Sequence, residues 1–248
     1  MKHVSAKCRI ASRLAALLML ITVSVSNAGA QQLWLNAEAR APITKALRAS
    51  VELEHRSRDG FGATSRWSAA AALSYKVAPW LRASASYKFI YGREAAHTTR
   101  KGNFIPAYWE KAHRFQLGLT GSLRLGKFGL SLREAYQMTH TPGFSVEKWG
   151  ANGFQKDDEV IAASTRHLLR SRLQAEYKHC KKALLTPFAS IEVYNDFSDG
   201  FSLRKMRYTI GTDIRINKHN SLSAFYRFVD RRNSDNTNVI GVGYSFKL

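Results

Sequence analysis

The stretch "RFQLGLTGSLRLGKFGLSLREAYQM", residues 114–138, decides how this chain folds. Phe115, Leu117, Leu119, Leu123 and Leu125 alternate with Arg114, Gln116, Thr120, Ser122 and Arg124, and Phe128, Leu130 and Leu132 resume the pattern. Side chains of a strand point alternately to opposite faces, so such alternation means one apolar and one wet face. A helix would need apolar residues every three or four positions. Gly126-Lys127 between the two runs is a tight hairpin signal. The segment therefore reads as one antiparallel hairpin, and the rest of the chain must say whether its apolar face meets a protein core or lipid.

Residues 1–30 read as a secretory leader rather than as fold. Lys2, Lys7, Arg9 and Arg13 precede the apolar run Leu14–Val25, and Ala28 and Ala30 form an A-x-A cleavage pattern. That run is about 12 residues, against roughly 20 for a spanning helix. Cys8 lies before the run, badly placed for lipid attachment. Cleavage after Ala30 starts the mature chain at Gln31 and leaves Cys180 as its one cysteine, so an internal disulfide is not expected. No later segment is apolar enough for a spanning helix; a membrane would be crossed by strands. The net charge of +20 falls to about +16 once the leader is gone. In an exported chain such charge points to lipid headgroups, lipopolysaccharide phosphates or acidic solutes, and not to nucleic acid.

The alternation recurs in "ALRASVELEHR" (46–56), "RWSAAAALSYKV" (66–77), "LRASASYKFIY" (81–91), "LLRSRLQAEYK" (168–178), "TPFASIEVYND" (186–196), "KMRYTIGTDIRI" (205–216), "SLSAFYRFV" (221–229) and "VIGVGYSFKL" (239–248). Runs of about 9–13 residues suit a tilted membrane strand. Short spacers at 77–80, 126–127, 179–184 and 218–220 alternate with longer ones at 57–65, 92–112, 140–165, 196–202 and 230–237. Sorting of this kind marks an outer-membrane barrel, with short periplasmic turns and long external loops. Aromatic residues such as Tyr75, Trp80, Tyr91, Phe115, Phe128, Tyr136, Tyr177, Tyr226 and Phe246 share the apolar face near strand ends, where they would form headgroup girdles. An open sheet edge in a bilayer would cost several kcal/mol per unpaired group, so the sheet must close.

The expected fold is all-β, an antiparallel transmembrane barrel of about 10–12 strands over residues 31–248. Ten strands run from Leu47 onward, and "LWLNAEARAPI" (33–43) reads as an eleventh. Bacterial single-chain barrels have even strand numbers. Either segment 33–43 lies inside the lumen or beside the rim, or another strand lies in 92–112 or 140–165. Glu134 would sit on the lipid face under strict alternation; a bulge near Arg133 or a place near the external interface would relieve it.

The stretches "LRASVELEHRSRDG", "GSLRLGKFGLSLREAYQMTHTP", "HLLRSRLQAEYK", "LTPFASIEVYND" and "KMRYTIGTDIRINKHNSLSAFYRF" resemble the outer-membrane proteins grouped as domain of unknown function 2490. The resemblance implies a Gram-negative outer-membrane barrel and no particular activity. It also implies that the final alternating residues Tyr244, Phe246 and Leu248 are read by the barrel-assembly machinery, although such chains usually end in an aromatic residue.

Chemistry is sparse. "NDFSDG" (195–200) is the nearest approach to the His-x-Ser-Asn-Gly stretch of outer-membrane lipid hydrolases, but Asp196 stands where the general base would be. It reads as an external turn. Asp157, Asp158 and Glu159 lack the spacing of a dedicated Ca²⁺ loop. "HTTRKGNFIPAYWEK" (97–111) reads as a loop over the rim or a surface for lipopolysaccharide. No catalytic, cofactor or metal residues are assigned. The lumen is expected to receive Arg48, Arg82, Lys88, Arg114, Arg124, Arg133, Arg170, Arg172, Arg207, Arg215 and Arg227, faced by Glu52, Glu54, Glu176, Glu192 and Asp213. Arginine and carboxylate can interlock across a narrow barrel, and the cationic excess would favour anions. The expected function is a non-enzymatic outer-membrane barrel; a narrow channel for anions or acidic oligosaccharides, or a lipid-modifying enzyme, are the alternatives.

Overall fold

The computed structural model describes residues 31–59, 61–178, 184–232 and 234–248. The leader at 1–30, His179, Cys180 and most of the 179–184 turn lie outside the described residues. In chain order the strands are β1 (Gln31–Pro42), β2 (Leu47–Arg58), β3 (Ala63–Lys76), β4 (Leu81–Glu94), β5 (His97–Thr98), β6 (Phe104–Ile105), β7 (Tyr108–Leu125), β8 (Phe128–Thr141), β9 (Phe144–Trp149), β10 (Gln155–Ile161), β11 (Ser164–Tyr177), β12 (Leu185–Asp196), β13 (Ser202–Arg215), β14 (Asn220–Arg231) and β15 (Thr237–Lys247).

Eleven of them close into a barrel in the order β1-β15-β14-β13-β12-β11-β8-β7-β4-β3-β2. The opening hairpin is β7–β8, and it turns on Gly126 at φ 59°, a conformation that glycine adopts without strain. Every neighbouring pair is antiparallel except one. Between β1 and β15 the strands run parallel, from Gln31 opposite Asn238 to Arg40 opposite Lys247.

This seam corrects the expectation for segment 33–43, which is neither inside the lumen nor beside the rim. Through Pro42 it is part of the wall, and its other edge pairs with β2 from Trp34–Arg56 to Pro42–Arg48. Closure requires only that each edge find hydrogen-bond partners, and a parallel ladder supplies them. With an odd number of up-and-down strands the first and last must run the same way, so the closing pair has to be parallel. The start of β1 and the end of β15 consequently lie at opposite rims.

The loop sorting is softer than the sequence suggests. Strands β4, β7, β8 and β11 extend into the supposed loops, leaving two long connections, 95–107 and 142–163. These carry β5, β6, β9 and β10, a small separate sheet of order β10-β9-β6-β5 that buries Ile105 and Val146. The β2–β3 connection, 59–62, is no longer than the turn at 43–46.

The wall is inside out. Leu53 and Leu117 are 64% and 61% exposed, whereas Gln137 and Thr209 are 2% and 4% exposed. The apolar face of the opening stretch thus looks away from the lumen. Trp67, Tyr87, Phe115 and Tyr136 stand on the outer face toward the long-loop rim, and Tyr75, Trp80 and Phe128 toward the short-turn rim. The Tyr87 and Tyr136 hydroxyls hydrogen-bond Nδ1 of His113 and His167 at 2.8 and 2.6 Å.

Glu134 is a second correction. Strand β8 runs without a break against both neighbours, so no bulge rescues it. It faces outward in the middle of the strand rather than near an interface, and Ser171 across the ladder donates to its Oε2 at 2.6 Å.

The lumen as candidate functional site

Parity delivers polar side chains to the inside, and the stagger of the strands sorts them into two cavities. The one toward the long-loop rim has a volume of about 1030 Å³, and the one toward the short-turn rim about 840 Å³. Along β14 the inward series reads Arg227, Phe225, Ser223: Arg227 lines the first cavity, Ser223 the second, and Phe225 neither. Along β12 the same holds for Ser190, Phe188 and Thr186. The Phe188 ring and the Phe225 Cβ crowd the inward side of Gly211, and the Phe225 ring lies over Gly241, where a side chain would collide with it. An aromatic waist thus projects from one side of the wall, and Glu38 borders both cavities.

Most of the residues assigned to the lumen from sequence gather in the long-loop cavity. Glu192 is their centre. Its Oε1 accepts from Arg170 at 2.7 Å, and its Oε2 accepts from the Tyr194 hydroxyl at 2.6 Å and from Arg207 at 3.4 Å. Arg170 also reaches Oε1 of Gln116 and Gln137, at 2.7 and 3.2 Å. A second network joins Lys88 to Glu52 at 2.8 Å and to Glu54 at 3.8 Å. Among the described residues Arg114 and Arg227 donate only to hydroxyls, on Thr139 and Thr209. Arg133 and Arg172 line the same cavity. Buried ions of this kind persist because each carboxylate has several donors.

The remaining assigned residues are elsewhere. Glu176, Asp213 and Arg215 line the short-turn cavity. Arg124 is at the short-turn rim, 3.9 Å from Glu176 and 65% exposed. Arg82 donates to Ser74, and neither it nor Arg48 lines a cavity.

Sequence reasoning missed the floor of the long-loop cavity. Trp34 is buried, with the guanidinium of Arg56 3.5 Å from its ring and those of Arg227 and Arg207 at 5.0 and 5.2 Å. The attraction of cations to the ring face packs three like charges round one indole. Arg56, Arg66 and Lys205 were legible: each shares the parity of residues already placed inside. Trp34 was not, because the pattern of 33–43 alone does not say whether that segment joins the wall.

The other motifs resolve as local structure. Asp196 caps the 3-10 turn Phe197–Asp199 by accepting from the Ser198 N–H, and Arg204 and Arg166 lie 3.4 and 3.7 Å from its carboxylate. Asp157, Asp158 and Glu159 lie on β10, where Glu159 pairs with Lys148 at 3.0 Å. Among the described residues no group of three or more His, Cys, Asp or Glu is placed to hold a metal ion.

A closed barrel with leucines outside and interlocked ions inside is the outer-membrane class of β-barrel. Two solved structures agree with this fold. The β domain of the Bordetella autotransporter BrkA is 13% identical, with a TM-score of 0.52 and 81% of each chain covered. The translocator domain of the autotransporter NalP from Neisseria meningitidis is 11% identical, with a TM-score of 0.51 and 94% of each chain covered. No curated protein matches the chain. The chain belongs to the family described as protein of unknown function (DUF2490), whose model matches residues 31–239.

Proposed function

We propose that this protein is a non-enzymatic resident of the outer membrane, with its long-loop rim outside the cell and its lumen blocked to free ion flow. The observation that carries this reading is the inverted wall: exposed leucines and girdle aromatics outside, and a Glu192–Arg170–Arg207–Tyr194 lock within. Lipid and lipopolysaccharide cover the outer face. The assembly machinery reads Tyr244 and Phe246 on β15, with Leu248 just beyond it, before β1 pairs with that strand's second edge. Against catalysis, the Asp196 carboxylate is taken up by the turn cap and two arginines. On a gel of purified outer membranes the unboiled protein should migrate apart from the boiled one; identical migration would sink the barrel. Lipid hydrolysis that disappears in Ser198→Ala would restore the enzyme.

A second reading, a narrow anion-selective channel, is favoured by the cationic excess in the lumen and by Glu38 bordering both cavities. Planar-bilayer recording separates the two. A silent bilayer supports the blocked lumen, and steady anion-selective conductance supports the channel.

A further inference from the structure

We propose that the long-loop cavity is a binding site for a ligand carrying clustered phosphates. The inference rests on the barrel reading above and gives its lumen a ligand class. Around one cavity of about 1030 Å³ stand fifteen Lys and Arg side chains and five carboxylates. Four of the five carboxylates are already engaged: Glu192 by Arg170 and Arg207, Glu52 by Lys88, Glu54 by Arg56, and Glu38 by Arg40. Among the described residues Arg66, Arg114 and Lys205 have no carboxylate within ion-pair distance. β3 and β7 stand two strands apart on one side of the barrel and β13 across from them, and all three side chains line the same cavity.

Buried like charges repel, and a buried charge without a counter-charge is costly, so such a cluster favours an incoming anion. Donors without acceptors point the same way: among the described residues the Nε–H groups of Arg170, Arg172 and Arg207 are buried with no hydrogen-bond acceptor. A phosphate suits this site better than a carboxylate. A carboxylate offers only two oxygens, both in one plane. Phosphate oxygens point in tetrahedral directions and can take bonds from guanidiniums on several sides. The surplus of ten cations calls for more than one such group.

The phosphates could belong to a soluble ester or to a lipopolysaccharide headgroup at the rim, and the test distinguishes them. The full barrel, shown folded by its gel shift, is titrated calorimetrically with inorganic tripolyphosphate at low and high salt. Tripolyphosphate should bind and citrate far more weakly. Arg66→Gln, Arg114→Gln and Lys205→Gln should each weaken binding about tenfold, a charged hydrogen bond's worth, while Arg124→Gln at the opposite rim should leave it unchanged. Vesicles of phosphatidylcholine with diphosphorylated lipid A that compete with tripolyphosphate identify a headgroup ligand; vesicles that do not compete identify a soluble one. No heat release from a barrel that passes the gel test overturns the site alone. Binding indifferent to the three substitutions, or equal binding of citrate, also overturns it. Failure of the gel test removes the barrel and the site together.

Discussion

The two halves of the lumen share one wall, and the same parity places polar side chains inside both. They are nevertheless built from different residues. The long-loop half is crowded by guanidiniums around Trp34, Tyr194 and Glu192. The short-turn half is lined by Asn36, Thr186, Ser221, Ser223 and Ser245, with three carboxylates against five Lys and Arg. Long side chains reach the axis and lock; hydroxyls and amides leave the middle open. A binary polar pattern therefore says which face is wet, while side-chain length decides which part of the tube is filled.

The sharpest way to break this contrast is to remove the central carboxylate. Glu192 is 8% exposed and holds two guanidiniums, so Glu192→Ala leaves both buried and unpaired. It should destabilise the barrel by about 3–5 kcal/mol, read as a shifted unfolding midpoint in denaturant. Glu176, in the other half, is 28% exposed and bridges to Lys178 and Arg124 near the rim. Glu176→Ala should cost less than about 1 kcal/mol. Equal losses would mean that the two halves are not energetically distinct.

The waist between them gives the next effect. Gly241 lies under the Phe225 ring, so Gly241→Ala must displace the ring and should cost about 1–3 kcal/mol in the same experiment. Gly121, on the outer face of β7, has nothing within 4 Å of an added methyl. Gly121→Ala should be neutral or stabilising by about 0.5–1 kcal/mol, because alanine has less freedom to lose than glycine. A third comparison sets the lumen against the outer wall. Among the described residues Ser171 is the donor to Glu134, on the outer face of the wall, and carboxylates facing lipid are unfavourable. Glu134→Leu should raise stability by about 1 kcal/mol, whereas a loss would show that the outer carboxylate has a partner in the membrane.

Parts of this architecture were legible because they are local. In 114–138 the alternation, the Gly126-Lys127 turn and the hairpin follow from neighbouring residues alone, and the observed ladder from His113–His140 to Leu125–Phe128 keeps that parity throughout. Lumenal positions such as Arg170, Glu192 and Arg207 follow from the same period of two. The place of 33–43 was not legible: its own pattern reads as a strand, the preference for even strand numbers leaves its place open, and only the pairing with β15 decides it. The bulge sought near Arg133 was unnecessary because Ser171, thirty-seven residues away, supplies the hydrogen bond.

By itself, the sequence determined the inside and the outside of this protein. A strand's faces are assigned residue by residue, and a one-residue slip would reverse them all. Only the tertiary structure decided how many strands close the wall, that the seam is parallel, and which arginines meet Glu192 or meet no acid. Those depend on the stagger accumulated round the whole circumference, which brings together residues that no local pattern connects.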